Sequence, residues 1–98
     1  MTQGVRIRVR GQVRGVGFRP FIWQLAQRFG IEGDVLNDPN GVLIHARGAE
    51  LERFTSAIAA EKPPLARVDA VESEAFTFAT PPTGFEIAAS QGVGAETR

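Results

Sequence analysis

Ninety-eight residues, 43% of them apolar, make one domain with a single core and leave no room for a second. The absence of cysteine removes disulfides and thiolate metal sites, and with no signal-like segment or apolar run near the roughly 20 residues of a bilayer span the chain is expected in the cytoplasm, off membranes. Net charge is zero, which argues against general nucleic-acid binding, yet the first thirty residues hold six arginines and no acid while all eleven acids follow from Glu32.

Residues 5–10 alternate strictly, Val5, Ile7 and Val9 against Arg6, Arg8 and Arg10, which predicts a half-buried strand with its arginines facing away from the core. The stretch GQVRGVGFRP over 11–20 then reads as a loop running straight into a helix start. Its glycines free the backbone to turn its amides toward a ligand, and Pro20 suits a first helical turn. Phe18, Phe21, Ile22, Leu25, Ala26 and Phe29 fall on one helical stripe, and Gly30 follows as the residue that ends it. Residues 35–37 and 42–47 read as two short strands joined by the turn cluster Asp38-Pro39-Asn40-Gly41. A second helix is expected to start near Ala49, to bury Leu51, Phe54 and Ile58, and to end at Pro63-Pro64. Residues 67–78 predict a long, bent strand, Pro81-Pro82 a break, and residues 85–87 a short last strand. The polar, glycine-rich residues 90–98 read as a linker or frayed end beyond a domain of residues 1–89.

Two helices can cover only one face of such a sheet. The expected architecture is therefore α+β: a ferredoxin-like two-layer sandwich, βαββαβ with an additional C-terminal edge strand, an antiparallel sheet covered on one face by two helices.

The loop at 11–17 carries the most chemistry. Unpaired amides and the positive end of a helix dipole meet where it enters the helix, and together they attract anions. A local basic region in a neutral chain suits a small anionic ligand; it equally suits solvated strand and helix faces. On spacing alone Arg19 is a solvated helix-start arginine, and Asn37, ahead of a turn, a cap for backbone amides. The glycine pattern is no Walker loop, since no lysine followed by serine or threonine comes after it. Nor is it a dinucleotide fingerprint, because Pro20 stands where the third glycine belongs. His45, the one histidine, shares a strand face with Leu43 and Arg47, and no second histidine is present to build a metal site. The outward face carrying Arg6, Arg8, Arg10, Leu43, His45 and Arg47 is expected to hold no aromatic residue for stacking RNA bases, which favours a solvated or docked face.

Gly11-Gln-Val-Arg-Gly15-Val-Gly17-Phe-Arg19, with Asn37 eighteen residues later ahead of a hairpin turn at Gly41, resembles the acylphosphatase family over roughly residues 5–88. The stretches Phe18-Arg-Pro-Phe-Ile-Trp-Gln-Leu-Ala26 and Pro63-Pro-Leu-Ala-Arg-Val-Asp69 are similar to the N-terminal acylphosphatase-like domain of the carbamoyltransferases that mature [NiFe]-hydrogenases. That resemblance implies hydrolysis of an acyl phosphate, carbamoyl phosphate in this case. It implies a phosphate cradle in the backbone of Val13, Arg14, Gly15, Val16, Gly17 and Phe18, with Arg19 and Asn37 as catalytic residues. Arg19 would grip the phosphate through its planar fork, and Asn37, able to donate and accept, would orient the attacking water. No metal or protein base is implied if the substrate's own phosphate takes the proton, and no cofactor is expected in this domain. Expected partners are the downstream domains of a longer parent chain, with ATP and zinc used there, and the maturation protein that accepts the carbamoyl group. Arg14 stands where acylphosphatases often carry glutamine and would add a cation beside the anion, and Asn40 stands where many carry aspartate. The reading from a different class is a non-catalytic phosphate-binding or interdomain docking module.

Overall fold

The computed structural model of the chain describes residues 2–88. Strands β1 (Thr2–Gln12), β2 (Glu32–Asp38), β3 (Gly41–Arg47), β4 (Arg67–Phe78) and β5 (Phe85–Ile87) form one sheet in the order β4-β1-β3-β2-β5. Helices α1 (Phe18–Phe29) and α2 (Leu51–Ala60) pack on one face of it, giving the ferredoxin-like βαββαβ sandwich. Alternation sets the layers. Ile7 and Val9 of β1, Val35 of β2, and Val42, Ile44 and Ala46 of β3 are buried under Phe18, Ile22, Leu25 and Ala26 of α1 and Phe54, Ala57 and Ile58 of α2. Each of the larger side chains contributes about 1.5–3 kcal/mol by leaving water. Gly30 closes α1 in the left-handed conformation, its N–H turned back to the Ala26 and Gln27 carbonyls. Among the described residues no helix is long and apolar enough to cross a membrane.

Strand limits differ from the periodicity in informative ways. β1 and β2 extend to Thr2–Gln12 and Glu32–Asp38, because ladder bonds to neighbours continue beyond the alternating residues. The bend expected in the fourth strand is a register shift: Arg10 pairs with Ala70 and Gly11 with Val68, leaving Asp69 as the extra residue. α2 begins at Leu51 behind Glu50, not at Ala49. The linker expected over residues 90–98 lies outside the described residues.

The sheet is not antiparallel throughout. β5 runs parallel to β2, with Gly33 opposite Phe85 and Val35 opposite Ile87. β4 finishes at Phe78, beside Thr2 at the start of β1, and β1 and β2 run in the same direction. The chain therefore crosses to the far edge at the end where β2 sets out, and a strand starting there must follow β2.

The outer face differs too. Phe76 of β4 lies 4.5 Å from the His45 ring and beneath the Arg6 guanidinium, and it meets Phe78 edge-on at 4.9 Å. This face therefore does carry aromatic residues; alternation within one strand could not reveal them, because they arrive from β4. Its arginines are paired locally, Arg6 with Glu74, Arg10 with Glu72 and Arg47 with Glu32, and the His45 ring is hydrogen-bonded to Asp34 at 2.8 Å.

Candidate active site

β1 and β2 end, and β3 and β4 begin, at the same end of the sheet: Val9 lies opposite Val42, Val42 opposite Asn37, and Gln12 opposite Arg67. The 13–17 loop leaves β1 at this end and α1 starts from it. Topology thus gathers the loop, the first turn of α1 with Arg19, and Asn37, one residue from the end of β2.

The loop is pinned at its ends and open in its middle. Val13 and Phe18 are almost fully buried, Val16 packs on the core, and Arg14, Gly15 and Gly17 are exposed. Gly15 and Gly17 hold φ of 71° and 75°, a left-handed backbone that strains any residue with a Cβ, and a Cβ there would project into open space. Gly17 is also the N-cap of α1. It has no side chain to satisfy the first helical amides, and no acid stands in the first turn. The first helical bond is Phe21 N–H to the Gly17 carbonyl at 3.2 Å, and Pro20 has no N–H to offer. The amides of Phe18 and Arg19 therefore remain available at the positive end of the dipole, which is the geometry of an anion site.

Two polar groups at this end have no partner among the described residues. Arg19 is half-buried, and it alone of the described arginines has neither a hydrogen bond nor an ion pair. Asn37 Oδ1 is buried with nothing to accept from. Orphaned buried acceptors are uncommon and call for a ligand or water. Asn37 does not cap backbone amides; that work falls to its neighbour, since Asn40 N–H donates to Asp38 Oδ1 at 2.8 Å.

The Arg14 guanidinium donates to the Asp38 backbone carbonyl. The backbone of Arg14 stays in the loop while its side chain ties that loop to the β2–β3 turn. Asp38 is the residue that sequence reasoning missed. It is the one buried charged side chain among the described residues, and its carboxylate also pairs with Arg8. The only sequence signal was an aspartate opening a turn. Trp23 is exposed, and its Nε1–H donates to the Phe85 carbonyl at 3.1 Å. It braces the β5 edge.

Comparison with known proteins places the chain in a family. The family model for acylphosphatases matches residues 5–87. The carbamoyltransferase HypF of Rhodobacter capsulatus is 59% identical over 96 residues, 98% of this chain and 13% of that one. The acylphosphatase of Thermotoga maritima is 42% identical over 87 residues, covering 86% of this chain and 91% of its own. The crystal structure of full-length HypF in the phosphate- and nucleotide-bound form superposes with a TM-score of 0.83 at 31% identity, over 92% of this chain and 12% of that one. The chain thus spans about an eighth of the HypF proteins and nearly all of a stand-alone relative. A glycine loop feeding an uncapped helix, an unpaired arginine in its first turn and the ferredoxin-like sheet behind them all fall within the matched residues, and the chain belongs to the acylphosphatase family.

Proposed function

We propose that this domain binds acyl phosphates and hydrolyses them, with carbamoyl phosphate as its substrate. The observation that carries the reading is the buried, unpartnered Asn37 Oδ1 at the sheet end where the 13–18 loop and the uncapped start of α1 converge. Membership of the acylphosphatase family supports the reaction class, and the similarity to carbamoyltransferases supports the substrate.

The chemistry follows from the groups available. Amides of residues 13–18 surround the phosphoryl oxygens, and Arg19 lays its planar fork against them as charge develops. Asn37 Oδ1 accepts from a water and aims it at phosphorus. The water oxygen forms the new bond to phosphorus as the bond from phosphorus to the acyl oxygen breaks. The electron pair of that bond leaves on the carboxylate (carbamate, for carbamoyl phosphate), and the water proton passes to a phosphate oxygen. Within a longer chain like the HypF relatives, carbamate would go to a nucleotide-dependent step in a later domain, with zinc held elsewhere in that chain. The carbamoyl group would then pass to the acceptor protein that makes the cyanide ligands of a [NiFe] centre.

The test is phosphate release from carbamoyl phosphate and acetyl phosphate by the 98-residue chain, with inorganic phosphate as competitor. Turnover inhibited by phosphate is the expected result. Phosphate binding without turnover would identify a binding module and overturn the hydrolytic reading.

A further inference from the structure

We propose that Asp38 is a positioning residue for acyl phosphate hydrolysis, acting through Arg8 and Arg14 to hold the phosphate loop and Asn37 in one frame; this rests on the hydrolytic reading above. Three elements close on this one residue. Arg8, on the outer face of β1, pairs with the buried carboxylate. The Asn40 amide donates to its Oδ1 at 2.8 Å and shuts the turn. Arg14, at the head of the loop, donates to its backbone carbonyl. The two arginines lie 30 and 24 positions away in sequence, so the arrangement exists only once the sheet has formed.

Asp38 is therefore held by its side chain and its main chain together. Its neighbour Asn37 has no partner on Oδ1 among the described residues, so the direction of that oxygen follows the backbone at 37–38. The path of the loop is set from the same point, because Arg14 immediately precedes Gly15. One buried carboxylate thus fixes the relation between the phosphate cradle and the group that aims the water. In-line attack depends on that relation, and a misplacement of about 1 Å can cost ~10²-fold in rate. A carboxylate serving stability alone would change the melting midpoint and leave turnover in the folded chain intact.

Arg8→Met is the direct probe, because Arg8 sits on the face away from the helices and methionine keeps an apolar stem without the charge. In the 98-residue chain, kcat for acetyl phosphate should fall about tenfold, with a smaller change in affinity for inorganic phosphate. Arg8→Lys, which keeps a cation opposite Asp38, should recover most of the rate, and Asp38→Asn should behave like Arg8→Met. Combining Arg8→Met with Arg14→Met should cost less than the product of the two single effects, because both act through one residue. Backbone NMR order parameters give a readout independent of catalysis: residues 13–18 should lose order in Arg8→Met while β3 keeps it. Wild-type kcat in folded Arg8→Met, or independent, multiplying effects in the double variant, overturns the proposal. So do loop order parameters indistinguishable from wild type. A wild-type chain with no turnover would sink the hydrolytic reading by itself, and the order parameters would still decide whether Asp38 holds the loop.

Discussion

Arg19→Ala separates what this residue does for stability from what it does for chemistry. The guanidinium is half-buried and makes no hydrogen bond or ion pair with a described group, so its removal orphans nothing. Alanine is also at least as good a helix former. The stability change should stay within about 0.5 kcal/mol. At about 4–8 °C per kcal/mol for a domain of this size, the melting midpoint should move by about 4 °C at most. The rate should respond very differently. Losing one preorganised donor at a site of developing charge typically costs ~10²–10³-fold, or about 2.7–4 kcal/mol of transition-state stabilisation. The assay is phosphate release from acetyl phosphate at saturating and at limiting substrate, on protein whose midpoint has been measured. Arg19→Lys should also be impaired, since a point charge does not reproduce a planar fork. Near-wild-type turnover in folded Arg19→Ala refutes the assignment, and a midpoint fall beyond about 10 °C refutes the claim that Arg19 is structurally idle.

Asn37→Ala should keep or raise thermal stability, because an orphaned buried acceptor costs about 1–3 kcal/mol, yet turnover should drop much further than phosphate affinity. If affinity falls in step with rate, Asn37 is a phosphate ligand and not the group that aims the water. Gly17→Ala meets no atom but forces an L-residue into the left-handed region, so it should cost about 1–2 kcal/mol in a denaturant titration; an unchanged midpoint would mean the loop relaxes elsewhere. Glu61 accepts two hydrogen bonds from Arg28, which hold its carboxyl below the ordinary glutamate value in the folded chain. Its contribution is therefore present above the unfolded pKa and lost as pH falls through the folded one. Glu61→Gln should thus lower the midpoint at pH 7 and converge on wild type in acid, whereas a pH-independent difference would contradict the ion pair.

Much of the fold is legible because it is local. Alternation at Val5–Arg10, the stripe from Phe18 to Phe29 and the proline pairs each state a conformation within a few residues. The site is legible for the same reason in part, since glycines at 15 and 17 followed by Phe18-Arg19-Pro20 describe a turn and a helix start without reference to the rest of the chain. What escapes is pairing between distant residues. The parallel course of β5, Phe76 on the outer face, and the attachment of Arg14 to Asp38 all depend on strand register. Arg14 illustrates the limit: nothing in the loop's own sequence reveals that a carbonyl 24 positions away takes one of its donors.

The placement of β1 between β3 and β4 has a consequence in time. The first strand pairs along its length with the last long one, Thr2 against Phe78 and Gln12 against Arg67. Its ladder cannot be completed until nearly eighty residues have been brought together, and domains dominated by such distant pairings fold in the slower millisecond-to-second regime. The loop and α1 can sample their own turns early, but the platform beneath them is whole only when β4 docks. Competence to hold an anion should therefore arise late, in the step that completes the sheet, and a stopped-flow trace of phosphate binding during refolding should lag behind the helical signal.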